Sequence, residues 1–178
     1  MGYIMEIYVD GGCRRNGLPG SIGAASACIK NKWGKYKCFT RDLNSASARP
    51  TNQRAEITAI ILALELALEK FKELDSYTDF HLEIFSDSKY ATGCMTEWIY
   101  KWCRNGWTNA AGYEVTNRDL IERASDLDDR VKEAGSVTYT WIPRADNQVA
   151  DQACNDALDR QQREGNYYYG SSDDDSDW

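Results

Sequence analysis

The sequence predicts an α/β domain, a mixed sheet with helices packed on it. Two observations carry this. Strand-like alternation comes in five short segments, the first three joined by turns and the last two reached through longer connections. Between and after the later strands lie segments whose apolar residues recur at helical spacing.

Residues 4–9 (IMEIYV) read as the first strand, ended as a turn by Asp10-Gly11-Gly12. Residues 13–20 hold Asn16-Gly17 and Pro19-Gly20 and read as a loop. Strands near 21–30 and 33–41, joined around Asn31-Lys32, complete an antiparallel meander. After a Ser- and Asn-rich loop, Ile57, Ile60, Ile61, Leu64, Leu68 and Phe71 line one face of a helix from Asn52 to about Leu74, with Glu65, Glu69 and Lys72 opposite. Residues 81–86 read as a buried strand. There follow a helix from Lys89, an irregular stretch over 102–116, a helix over 117–133, a strand over 136–142 and a helix over 147–162.

Composition narrows the function. The chain has 178 residues, 42% apolar and 28% charged. Its longest apolar run, 55–68, is broken by Glu56 and Glu65, so no membrane span is expected. The N-terminus has no secretory pattern, which points to an intracellular protein of nucleus or cytoplasm, not a secreted one. Net charge is −7, but residues 164–178 carry five acids and no Lys or Arg, and without them 21 basic residues face 23 acidic ones. We therefore expect a domain over 1–163 and an acidic, disordered tail over 164–178. The six cysteines form no C-x-x-C pair and there is one histidine, so zinc is not expected and free buried thiols are.

Four acids stand at expected element ends: Asp10 and Asp87 closing strands, and Glu56 and Asp151 in the first turns of helices. Strand ends of such sheets border binding crevices. If the four converge, a divalent cation relieves their repulsion, and oxygen-only ligands suit Mg²⁺ or Mn²⁺. Two such ions about 3.5–4 Å apart support phosphodiester hydrolysis. On spacing alone the acids read first as helix-terminal or solvated charges, Glu56 and Asp151 above all.

The segments YVDGGCRRNG (8–17), RPTNQRAEITA (49–59), FSDSKY (85–90), EWIYKWCRNGWTNAAGYEVTNRDL (97–120) and WIPRADNQVAD (141–151) settle the choice. In this order they resemble the cellular type 1 ribonucleases H, with fungal-like wording, and cover nearly the whole chain to about residue 160. The resemblance implies the ribonuclease H-like fold: a five-stranded mixed sheet, its first three strands antiparallel, flanked by helices. It implies an endonuclease that cuts the RNA strand of RNA–DNA hybrids by a two-metal mechanism, leaving 5′-phosphate ends. Asp10, Glu56, Asp87 and Asp151 match the family's catalytic, metal-binding carboxylates, with two Mg²⁺ expected and Mn²⁺ as the alternative.

Substrate contacts carry over too. Asn16, Asn52 and Gln53 match residues that read the backbone and base edges of the minor groove, where 2′-hydroxyls distinguish RNA from DNA. Arg49, Thr51 and Asn117 match a pocket for a DNA phosphate, and Tyr90 and Trp107 the aromatic pair of the DNA channel. Asn52 also reads as the N-cap of its helix.

The sequence departs from the family in two places. The loop before the last acid lacks the histidine of many members, and Arg144 stands nearby. The basic protrusion is thinned to Lys101, Arg104 and Arg118, which implies weaker hybrid binding with a shallow salt dependence. The pattern begins by residue 4, so the N-terminal hybrid-binding module of some members is not expected. A free-standing monomer with no obligate protein partner and no membrane association is expected. A retroelement-derived ribonuclease H domain and a catalytically weak hybrid-binding module are the alternatives.

Overall fold

The computed structural model describes residues 2–170, with side chains through residue 165. Five strands form one sheet in the order β3-β2-β1-β4-β5. They are β1 (Gly2–Arg14), β2 (Ile22–Lys30), β3 (Tyr36–Asp42), β4 (Asp79–Ser86) and β5 (Gly135–Trp141). The first three are antiparallel, and β4 and β5 run parallel to β1. The helices are α1 (Asn52–Glu73), α2 (Lys89–Gly93), α3 (Ile99–Arg104), α4 (Arg118–Ala134) and α5 (Gln148–Gly170). A π turn (Cys94–Trp98) joins α2 to α3. Among the described residues no helix is long and apolar enough to cross a membrane.

Strand alternation divides the sheet into two faces. Met5, Ile7, Val9, Ala27, Leu82 and Ile84 are buried with Ile57, Ile60, Ile61 and Leu64 of α1 and Ile121, Leu127 and Val131 of α4. On the other face α5 covers one end only, where Cys154, Ala157 and Leu158 pack on Ala24 and Ile22. Arg14 pairs with Asp159 at 2.6 Å and Arg160 with Asp42 at 2.6 Å, fastening α5 to that end.

The observed elements correct five readings. Asp10 does not end a strand. Pairing with β4 stops at Val9↔Ser86, but pairing with β2 continues from Asp10↔Ser26 to Arg14↔Ile22. Gly11 is there for space: a Cβ at this position falls 2.2 Å from the carbonyl carbon of Ala55. The cap of α1 is Thr51, whose hydroxyl accepts from the Arg54 N–H at 3.2 Å, so Asn52 is the first helical residue and Glu56 lies beyond the first turn. The last helix runs to Gly170, past the expected end at 162, so the 163/164 boundary falls within a helix, and residues 171–178 lie outside the described residues. Finally, Cys28 and Cys38 form a disulfide. They face each other across β2 and β3 with Cα atoms 4.0 Å apart, a proximity set by strand register. Of the remaining thiols Cys94 and Cys154 are buried, Cys13 is half-buried and Cys103 exposed.

The two adjacent glycines of β1 differ in what they tolerate. A Cβ on Gly12 meets only the ends of Cys154 and Leu158, at 3.3 Å each, whereas one on Gly11 meets backbone. Gly11→Ala is expected to cost about 3 kcal/mol and Gly12→Ala under about 1 kcal/mol, read from urea unfolding of the two variants. Equal costs would contradict this account of α1 docking.

Candidate active site

The point where β4 stops pairing with β1 opens a cavity of about 470 Å³. Asp10, Glu56, Asp87 and Asp151 all line it, with Asn52, Arg144 and Asn155. Each acid arrives by a different route. Asp10 follows the last residue of β1 paired to β4, and Asp87 follows the end of β4. Glu56 comes next to Ala55, whose backbone Gly11 admits. Asp151 lies in the first turn of α5, where the helix dipole favours an anion. That helix start is tied to β1 by Asn147, 1% exposed, which donates to the Val9 carbonyl at 2.8 Å, while the Ser26 hydroxyl donates to the Ala150 carbonyl at 2.6 Å.

Burial and the neighbouring Asp87 and Asp151 push the Asp10 carboxyl up to about 8, with Asp151 within hydrogen-bonding reach. Burial also raises Glu56, offset by the Ser88 hydroxyl that donates to its Oε2 at 2.6 Å. Asp151 faces the Arg144 guanidinium at 3.6 Å and accepts from Asn155 Nδ2 at 3.3 Å. Among the described residues no three acidic, histidine or cysteine side chains stand as a ready-made cation cage. The acids instead meet pairwise, with Glu56 drawn toward Ser88. Crowded, half-buried oxygen donors with one carboxyl driven toward its neutral form are the donor set that a hard divalent cation relieves, so the residues fit Mg²⁺ or Mn²⁺.

The expected substrate residues fall into two groups. Asn16 Oδ1 accepts from the Asn52 N–H at 3.0 Å, and Arg49 donates to the Gly17 carbonyl at 3.0 Å, so Asn16, Arg49 and Asn52 stand together, with Gln53 exposed beside them. Arg54 organises the second group: Thr51 caps its N–H, its guanidinium donates to Asn117 Oδ1 at 3.3 Å and to Asp119 at 2.7 Å, and Asn117 Nδ2 donates to the Tyr90 hydroxyl at 3.1 Å. Arg49 thus turns away from Thr51 and Asn117 here. Tyr90 and Trp107 do not touch. Trp98 and Trp102 lie between them, with successive ring centroids 6.4, 6.0 and 6.2 Å apart. Trp107 is 8% exposed and packs in the core, while Trp98 is 40% exposed. Arg118 of the thinned protrusion is engaged by Glu122 at 3.0 Å and Glu114 at 3.8 Å.

Sequence reasoning passed over Gly11, Ser88, Arg54, Trp98 and Asn147. The Gly-Gly pair signalled a special backbone position, but only the sheet shows that its purpose is space. His81, the one histidine, bonds Ser136 and Asp79 on the sheet and does not reach the cavity.

The RNase H family model matches residues 3–163. The chain is 35% identical over 159 residues to the ribonuclease H of Parvibaculum lavamentivorans, covering 89% of this chain and 91% of that one. It is 33% identical over 165 residues to the ribonuclease H of Alkalilimnicola ehrlichii, covering 90% and 99%. Among solved structures it is similar to LC11-RNase H1 in complex with an RNA/DNA hybrid, at 25% identity and a TM-score of 0.60, covering 89% of this chain and 99% of that one. The N-terminal RNase H domain of a Mycobacterium tuberculosis protein shares the fold, at 22% identity and a TM-score of 0.64, covering 91% and 98%.

The folded state holds the Asp10 proton to higher pH than the unfolded chain does, so metal-free stability falls as pH rises from the ordinary carboxylate range to about 8. Asp10→Asn removes that loss. At pH 8 in chelator the variant is expected to melt about 2–4 °C higher than the parent, and Mg²⁺ or Mn²⁺ is expected to raise the parent's Tm but hardly the variant's. Equal metal responses in calorimetry would remove Asp10 from the donor set.

Proposed function

The chain belongs to the ribonuclease H family, and from that premise we propose that Asp10, Glu56, Asp87 and Asp151 together hold the divalent cations with which it hydrolyses the RNA strand of RNA–DNA hybrids. The observation that carries this reading is the convergence of all four acids on one cavity, with Asp10 driven toward its neutral form by its neighbours. We take Mg²⁺ as the ion in use, with Mn²⁺ able to replace it, and the active form as a monomer of nucleus or cytoplasm whose nuclease domain spans 1–163. The likeness to LC11-RNase H1 supports type 1 membership, and the fungal-like affinity rests on the motif wording alone.

Cations held by Asp10, Glu56, Asp87 and Asp151 would supply Lewis acidity and lower the pKa of a water for phosphodiester hydrolysis that leaves 5′-phosphate ends. The chain's own part is placement. Asp10 has both Asp87 and Asp151 as close neighbours and would share in holding the cations. Ser88 fixes Glu56 until the carboxylate is called on. Asn16, Asn52 and Gln53, at the start of α1, face the minor groove and sense the 2′-hydroxyls that mark the strand to be cut. Arg49, Thr51 and Asn117 grip a phosphate of the DNA strand. That grip requires Arg49 to leave the Gly17 carbonyl, an exposed and weak tether. Tyr90, with Trp107 supporting from the core, borders the deoxyribose channel. Arg144, 83% exposed beside Asp151, occupies the place of the missing loop histidine and draws product phosphate away.

Cleavage is expected on an RNA–DNA hybrid but not on RNA or DNA duplexes, with Mg²⁺ or Mn²⁺ but not chelator, and not by Asp10→Asn. Hybrid binding without cleavage by the parent would replace this reading with a binding module. Arg144→Ala is expected to lower kcat about threefold with KM nearly unchanged, and an unaltered kcat would dismiss its role in release.

A further inference from the structure

Residues 30–37 (KNKWGKYK) hold four of the chain's nine lysines and no acid, in a protein of net charge −7. They form the tip of the β2–β3 hairpin. Asn31 Oδ1 accepts from the Trp33 and Lys35 N–H groups at 2.9 Å each, the Asn31 N–H donates to the Lys35 carbonyl at 2.8 Å, and Gly34 takes the left-handed φ of 76°. The turn is therefore well built without any help from Trp33, whose ring is 73% exposed with Lys32 Nζ 4.5 Å from its centroid. Lys30 has Glu6 as its cross-strand partner. Lys32, Lys35 and Lys37 are exposed and make no ion pair among the described residues.

The hairpin continues into the part of the sheet that α5 leaves uncovered among the described residues. Tyr8 stacks on Phe85 with centroids 4.7 Å apart and planes 20° apart, Tyr36 stands edge-on to Tyr8 at 5.7 Å, and Lys30 Nζ lies 5.8 Å from the Tyr8 ring. Asp10 is on the same face of β1, two residues beyond Tyr8. At about 3.3 Å per residue it lies about 7 Å from Tyr8 and about 13 Å from the row of Glu6 and Lys30. A strand leaving the active site along this face reaches the rings within two or three nucleotides.

We propose that the β2–β3 hairpin and the sheet face beside it bind single-stranded nucleic acid, with Lys32 and Lys35 of the turn on phosphates and Trp33, Tyr36 and Tyr8 against bases; Lys37, opposite Ile29 and over the Phe39 ring, lies on the other face. Paired lysines and flat exposed rings are the elements of a stacking platform, and such rings are open only to unstacked bases, which excludes an intact duplex. Glu6 and Glu83 on the same face oppose an anionic lipid surface, whereas isolated acids are tolerated where bases stack. The surface is separate from the hybrid site at the start of α1. It does not depend on cleavage, and its charge lies where the thinned protrusion supplies none.

The test uses the full chain carrying Asp10→Asn, in chelator, with fluorescein-labelled twelve-nucleotide oligo(U) and oligo(dT) followed by anisotropy. Lys32→Ala/Lys35→Ala together are expected to weaken binding at least fivefold and to lower the salt slope by about 1.4, since single strands contribute about 0.7 per phosphate contact. Trp33→Ala is expected to weaken binding about fivefold with no change in slope. Lys32, Trp33 and Lys35 are exposed, and circular dichroism checks the fold. With Asp10 restored, the double lysine variant is expected to cleave a blunt hybrid as the parent does, and to lose the parent's lower KM for a hybrid with a single-stranded overhang. Oligonucleotide affinity unchanged by the substitutions overturns the proposal. So does binding of phosphatidylserine vesicles in place of oligonucleotides, or a concentration-dependent dimer abolished by Trp33→Ala.

Discussion

The fold and the site both depend on the closeness of α1 to β1 at Gly11. No side chain fits between the strand and the backbone of Ala55, so the helix lies directly against the sheet. Asp10 precedes Gly11 and Glu56 follows Ala55, and the contact that docks the helix therefore also brings two carboxylates into one cavity. On the far side of the sheet, Asn147 and Ser26 pull the start of α5 onto the same stretch of β1–β2 and deliver Asp151. Asp87 needs no separate device, because β4 ends where β1 continues.

This economy of placement has an electrostatic cost. Half-buried carboxylates that face one another without a cation are destabilising, and the raised Asp10 is the measure of it. The protein offsets part of the cost locally: the first turn of α5 favours the charge on Asp151, Ser88 donates to Glu56, and Arg144 stands opposite Asp151. None of these is a strong, buried ion pair. Arg144 is 83% exposed and Ser88 is neutral, so each partner is easily displaced. On the proposed reading, a site that exchanges cations and anionic products is served by weak local partners, since tight ones would compete with the ligand.

What the sequence revealed was whatever depends on local period. The helix of Ile57, Ile60, Ile61 and Leu64, the antiparallel meander and the strand before Asp87 all follow from spacing within one segment. What it hid depends on neighbours brought from elsewhere. Asp10-Gly11-Gly12 has turn composition, and only the approach of Ala55 explains why the glycines belong to a strand. Cys28 and Cys38 are ten residues apart and pair because of hairpin register. Trp107 follows Asn105-Gly106 in a polar stretch yet is buried, while Trp98, in a more apolar run, is exposed, because the π turn rotates one and the loop folds the other inward. The four acids were legible as separate strand and helix ends. Their meeting rested on the family resemblance until the sheet order placed them together.

Net charge misleads for the same reason that composition hides register: it discards position. A chain of −7 repels polyanions at long range, beyond a Debye length of about 8–10 Å it does so weakly, and within that length only the nearest charges count. Here Asp10 and the row of Glu6 and Lys30 lie on one sheet face, about 13 Å apart along β1, with Tyr8 between them. A phosphate chain approaching that face meets attraction at the hairpin and, without cations, repulsion at the cavity. On the proposed reading, cations that neutralise the cavity would make the whole face favourable, so their occupancy would also set the sign of the path that leads there.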